Sequence, residues 1–170
     1  KRQMLHYIDD VNAADQAVKI CRINVNASAR NIREMALNND TSAYDSYEQN
    51  VKKLLTEVDS QLEILKKTKV LPDEEYNEYA SALSDWGNIG YSIIEEIKNG
   101  EKEKAIDEIF NSCTPALNKL MEIAIRLDEI TDEVSEQSAR TTIIFAVAGM
   151  VCIIICLVCC LLYTSDAADD

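Results

Sequence analysis

Apolar positions recur along most of the chain at intervals of three and four residues, the spacing that gathers them on one side of an α-helix. Over residues 4–38 this stripe includes Val18, Cys21, Val25, Ile32 and Met35. Asn38-Asn39-Asp40-Thr41-Ser42 then supplies residues that tolerate a left-handed cap and residues that make good N-caps, so one helix stops here and another starts. The second stretch, residues 42–67, carries Tyr44, Tyr47, Val51, Leu54, Val58, Leu62 and Leu65. Lys66, Lys67 and Lys69 lie at its C-terminal end, where the helix dipole favours cations. Pro72 cannot prolong that helix but suits the first turn of the next.

The third stretch, residues 73–98, places Tyr76, Tyr79, Leu83, Trp86, Gly90, Ile93 and Ile97 on one stripe, and Asn99-Gly100 ends it. The fourth shows a heptad-like seam of Ile106, Phe110, Cys113, Leu117, Leu120, Ala124, Leu127, Thr131 and Val134. Pro115 interrupts it and predicts a kink or a local break. Helices of this length measure roughly 40 Å, and short connections make neighbours antiparallel. The predicted fold is all-α: an antiparallel up-down-up-down four-helix bundle over residues 1–140.

From residue 141 the polar face disappears. Residues 141–159, TTIIFAVAGMVCIIICLVC, hold no charge. At 1.5 Å per residue they reach about 28 Å, close to the hydrocarbon thickness of a bilayer. The last helix is therefore expected to continue into a transmembrane helix. Arg140 alone does not set its orientation.

Composition narrows the function. The net charge is −13, with no basic block, so nucleic acid is not an expected partner. Four Gly and two Pro among 170 residues leave too few turns for an all-β fold. One histidine, His6, cannot build a histidine-based triad or a di-iron bundle, and phosphate-binding glycine loops are missing. No catalytic residue, metal site or cofactor is expected. Of the six cysteines, Cys152, Cys156, Cys159 and Cys160 fall in the apolar run and serve as small hydrophobes. Cys21 and Cys113 either pack in the core or pair as a disulfide.

One polar constellation stands out. On a helical wheel Arg22, Asn26, Arg30 and Arg33 fall within about 80° of one another, beside the core stripe. A guanidinium is a planar fork that grips a carboxylate at two points. Ordinary ion pairs on a solvated helix face are the other reading of these arginines.

The whole pattern resembles the four-helix-bundle sensor domain of bacterial methyl-accepting chemotaxis receptors. Arg22-Ile23-Asn24 followed by Arg30 and Arg33, the turn Asn99-Gly100-Glu101 leading into residues 104–109, and Pro115 about 26 residues before the apolar run carry the likeness. The resemblance implies a homodimer joined along helices one and four, with the bundle outside the cytoplasmic membrane. It also implies a small-molecule ligand, an amino acid or another carboxylate, or else a ligand-bearing binding protein. By resemblance the ligand residues are Arg22, with Asn26, Arg30 and Arg33, and Asn111 and Thr114 beside Pro115. Ala27 and Asn31 stand where two further family arginines fall in an ungapped alignment, and Ala116 replaces a hydroxyl expected after the proline.

The expected function is thus ligand sensing for a transmembrane chemotaxis receptor. A sensor module of a histidine kinase or diguanylate cyclase is the alternative within the class. A tail-anchored coiled-coil membrane protein, with its bundle in the cytoplasm, is the alternative outside it. The chain starts inside a helical pattern, as a fragment would. Residues 160–170, CLLYTSDAADD, resemble a translated sequencing-library adapter and are expected to be a non-native tail.

Overall fold

Each helix begins and ends where local chemistry can satisfy its unpaired backbone groups. A computed structural model describes the backbone of residues 2–166 and the side-chain surroundings of residues 8–158. The expectation about residues 160–170 concerns side chains outside that described range.

Helix α1 spans Arg2–Leu37. Beyond it, the Asp40 carboxylate accepts from the Ser42 backbone N–H at 3.0 Å and from the Ser42 hydroxyl at 2.6 Å. It thereby caps the short 3₁₀ turn Thr41–Ala43 that leads into α2, Tyr44–Thr68. Lys69 then adopts a left-handed conformation, φ 52°. Pro72 opens α3, Asp73–Lys98, whose first turn holds Asp73, Glu74 and Glu75 facing the positive end of the helix dipole. The end of α3 is a Schellman turn. The Gly100 N–H donates to the Ile97 carbonyl at 3.1 Å and the Glu101 N–H to the Glu96 carbonyl at 2.9 Å. Gly100 sits at φ 83°, which a side chain would disfavour.

The fourth helical stretch has three parts: α4, Lys102–Glu108; a π-turn, Ile109–Cys113; and α5, Thr114–Asp166. The break expected at Pro115 takes the form of this π-turn. Pro115 has no N–H, and its ring crowds the carbonyl four residues back, that of Asn111. Widening the preceding turn by one residue accommodates it.

That extra residue corrects the predicted seam. Downstream, Cys113, Leu117, Leu120, Ala124, Leu127 and Thr131 are buried as the heptads require. Upstream, Phe110 is 68 % exposed and Ile106 only half-buried, while Ala105 and Ile109 fill the core instead. Val134, at the far end of the seam, is half-buried. A π-turn rotates everything before it by about one residue, roughly 100° around the axis.

The four stretches form an all-α four-helix bundle with no strand among the described residues. Its core runs through Val18, Val25, Ile32, Met35, Leu65, Tyr79, Trp86, Ile93, Leu120 and Leu127. At Gly90 a Cβ would lie 3.0 Å from Ile32 Cδ1, so glycine lets α1 and α3 approach there. Cys21 and Cys113 are both buried free thiols, which settles their alternative in favour of packing. The Cys21 thiol points at the Val58 carbonyl, 3.8 Å away, and burial pushes it up to about 12.

The chain divides into two compact units, Lys1–Asp132 and Glu133–Asp170. The bundle core lies in the first. In the second, Arg140 pairs with Glu136 at 2.7 Å and Thr141 donates to the Gln137 carbonyl. Its apolar window has a mean hydropathy of 2.8, and none of it is buried against the rest of the chain. The core helix of a soluble protein passes the same composition test but is mostly buried. This helix is long and apolar enough to cross a membrane, and its apolar side chains are uncovered.

Candidate functional site

Among the described residues three polar side-chain contacts join α1 to the fourth helical stretch, and all three involve residues singled out in the sequence. At one level Arg22 Nη1 pairs with Asp128 Oδ2 at 2.7 Å. One turn along α1, Asn26 Nδ2 donates to the Arg22 carbonyl at 2.8 Å and lies 3.2 Å from Met121 Sδ. Farther on, Arg33 Nη2 reaches Thr114 Oγ1 at 3.4 Å. Numbers rise on one helix as they fall on the other, as antiparallel neighbours require.

The two inward arginines are in different electrostatic positions. Arg22 is neutralised by Asp128, whose second oxygen, Oδ1, is buried without a donor. Burial raises the Asp128 carboxyl above its ordinary range, while Arg22 and then Lys19 pull it down. Arg33 faces only a neutral hydroxyl and forms no ion pair among the described residues. Its positive charge also acts on Cys113, which sits directly before Thr114, lowering a thiol that burial raises more strongly.

Thr114 is itself held. Its Oγ1 donates to the Ile109 carbonyl at 2.8 Å, and its backbone N–H goes to the same carbonyl, so the π-turn fixes where the hydroxyl stands. Lone pairs remain on that oxygen for Arg33.

The remaining candidates are more loosely placed. Arg22, Ile23, Asn26, Ala27 and Arg30 line an open groove of about 610 Å³. Arg30 is exposed and pairs at 3.6 Å with Glu34 on its own helix. Asn111 is exposed and donates to Asp107 at 2.8 Å, away from Arg33 and Thr114. Asn31 donates to the Ala27 carbonyl at 2.8 Å. The structure thus brings Arg22, Asn26 and Arg30 to one groove and Arg33 to Thr114, and leaves Asn111 apart.

Sequence reasoning missed Asp128 and Met121. Nothing local marks either: Asp128 is one acid among many on its helix, and only the axial register between helices selects it for Arg22. Among the described residues no group of three or more histidine, cysteine or acidic side chains is arranged to hold a metal.

A second concavity, of about 470 Å³, lies where the α1–α2 and α3–α4 connections meet. Asn39, Tyr44, Asp45, Lys98, Gly100 and Lys102 are among its walls. Lys98 bridges Asp45 and Glu48 there, and Lys102 donates to the Asn38 carbonyl at 2.5 Å.

Comparison with curated proteins returns no match, and neither does comparison with solved structures. A family model does match, over residues 7–144, described as a four helix bundle sensory module for signal transduction. That span contains the bundle core, the π-turn, and every contact between α1 and α5 described above. The chain therefore belongs to the four-helix-bundle sensory modules of methyl-accepting signal transduction.

Proposed function

We propose that this sensory module is the extracytoplasmic ligand-binding part of a transmembrane chemotaxis receptor. In this reading the apolar part of α5 crosses the cytoplasmic membrane and carries the signal to a cytoplasmic output. The ligand is a small carboxylate, an amino acid being the simplest example. The module binds and relays and does no chemistry.

One observation carries the ligand class: the half-buried Arg33 guanidinium faces Thr114, with no carboxylate paired to it among the described residues. An anion arriving there gains a charge-assisted contact without displacing an existing ion pair, as it would have to do at Arg22. Arg22 and Arg30, along the same helix, edge the groove and are already paired, with Asp128 and Glu34.

Exposed Ile23 and Leu37 on α1, and Phe110 and Ile125 on the fourth stretch, support a homodimer built on these two helices. A second protomer would cover apolar surface that water now meets. It would also place two arginine-edged grooves together.

The relay is differential binding. A ligand that prefers one arrangement of α5 over another shifts the population between them, and a coupling of about 1–3 kcal/mol is enough. Helices shift by small translations against a packed core, and Thr114 sits at the start of α5.

The test uses the chain reconstituted in lipid nanodiscs, titrated calorimetrically with amino acids and dicarboxylates. Heat of binding that Arg33→Ala abolishes, together with ligand-dependent cross-linking rates between cysteines placed along α5, supports the proposal. Binding that is indifferent to Arg33, or rates unchanged by every ligand, defeats it. A tail-anchored protein would instead expose the bundle to the cytosol, which impermeant thiol labelling of intact cells reads directly.

A further inference from the structure

Gly87 and Gly90 are both buried in α3, and only one of them has a packing reason. A Cβ on Gly90 would lie 3.0 Å from Ile32 Cδ1, so the close approach of α1 requires glycine there. A Cβ on Gly87 would meet nothing within 4 Å. Its backbone is ordinary helix, so no left-handed conformation calls for glycine either. Glycine inside a helix weakens it relative to alanine. What Gly87 leaves is space.

That space is the floor of a groove of about 210 Å³ between α2 and α3. Leu55, Val58 and Leu62 wall it from α2, and Leu83 stands one turn before Gly87 on α3. Ser84 and Asn88, also one turn apart, lie exposed on the α3 rim, and Asp59 lies exposed on the α2 rim. Every lining residue comes from α2 or α3, none from the helices that carry the arginines.

Asp59 is the only charged residue on these walls. Among the described residues its carboxylate makes no ion pair, and the side chains of Ser84 and Asn88 make no hydrogen bond. An apolar floor edged by a few polar groups is the usual composition of a small-molecule site. At about 210 Å³ the groove is smaller than the roughly 300–1,000 Å³ that hold drug-sized ligands, so its occupant is small. Asp59 sets the sign of its charge. An ammonium has three N–H donors and no acceptor, which suits a carboxylate with the oxygens of Ser84 and Asn88. The net charge of −13 adds to this by drawing cations toward the surface.

We propose that the α2–α3 groove is a second ligand site, which takes a small primary amine with its ammonium at Asp59 and its hydrocarbon body over Gly87. The occupant bridges α2 and α3 where Gly87 lacks a side chain. Its charge is opposite to that of the ligand at the arginine-edged groove, so the two sites select different compounds.

The experiment uses the full chain in nanodiscs with carbon-13 in the leucine methyls, as wild type, Asp59→Asn and Gly87→Leu. Each is titrated with cyclohexylamine and with cyclohexanol, an uncharged counterpart of similar shape. The methyl signals of Leu55, Leu62 and Leu83 are expected to move saturably with cyclohexylamine. Wild type should prefer the amine to the alcohol by about three- to five-fold, the range that an exposed ion pair allows. Asp59→Asn should erase that preference. Gly87→Leu fills the floor with a good helix former and should abolish the shifts. Asp59 is exposed, so its variant tests the site even where Gly87→Leu does not fold. Leucine methyls that do not move saturably with the amine overturn the proposal. So does equal affinity of wild type for amine and alcohol, a preference that survives in Asp59→Asn, or undiminished shifts in folded Gly87→Leu. Cyclohexylamine has no carboxylate to offer Arg33, so failure here leaves the carboxylate reading standing, and the reverse.

Discussion

The Thr114 hydroxyl lies 2.8 Å from the Ile109 carbonyl, five residues earlier, and the Thr114 backbone N–H is directed to the same oxygen. A carbonyl that would end an ordinary α-turn at residue 113 closes a wider ring instead. The step absorbs Pro115, re-aims every side chain before it, and holds the hydroxyl that meets Arg33.

The re-aiming can be measured by exchanging the predicted and observed core residues. Ile109→Ala removes a buried side chain and should destabilise the bundle by about 2–5 kcal/mol. Phe110→Ala acts on a side chain that is 68 % exposed and should stay within about 0.5 kcal/mol in the isolated protomer. Urea unfolding of both variants at low protein concentration distinguishes them. The opposite ranking would mean that the uninterrupted heptad was right and the π-turn wrong.

Gly87 offers a gain in stability. It is buried in the middle of α3, yet a Cβ built on it meets nothing within 4 Å, because it borders a concavity between α2 and α3. Gly87→Ala should therefore stabilise by about 0.5–1 kcal/mol from backbone entropy alone, raising the melting midpoint by about 2–5 °C. A lowered midpoint in differential scanning calorimetry would show that the space is filled in solution.

The Arg22–Asp128 pair should show itself through the acid. Arg22→Ala leaves a mostly buried carboxylate, one of whose oxygens already lacks a donor, without its counter-ion. We expect a loss of about 1–3 kcal/mol at neutral pH, below the roughly 3–5 of a fully buried pair, since the Arg22 side chain is 35 % exposed. Burial already raises Asp128, so its contribution is complete below the ordinary 3.8 and declines as pH rises through the raised value. Removing Arg22 raises that value further and should shrink the stability deficit in acid. Unfolding free energies measured between pH 3 and pH 7 check the sign; a deficit that grows on acidification would refute it.

For the apolar helix the relevant solvent is lipid. Met150 lies near the middle of the uncharged run and is 58 % exposed. Met150→Arg places a charge where insertion scales assign about 2.5–3.5 kcal/mol against it. The wild-type chain should resist alkaline extraction from membranes, and the variant should be released in substantial part. Equal extraction of both would show that the segment does not span.

Much of this architecture is legible in the sequence because it depends on local chemistry. The three- and four-residue spacing, Asp40 as a cap, Pro72 at a start and Gly100 at an end are properties of neighbouring residues. They place α3 at Asp73–Lys98, as the stripe predicts. The uncharged run after Arg140 is equally local, since hydropathy needs no partner. Fold class and the membrane-length segment follow from these alone.

What the tertiary structure alone decided is which groups meet. Arg22 and Asp128 are 106 residues apart, and Arg33 and Thr114 are 81 apart. Pairing of that kind depends on how far one helix slides along another and how far it turns about its axis. Both are set by the sum of many core contacts rather than by any single residue. A π-turn alters the second quantity by about 100° with one added residue, and periodicity read along the chain cannot detect it. So the stripe on α3 survived intact, while Phe110, on a seam just as regular, faces water.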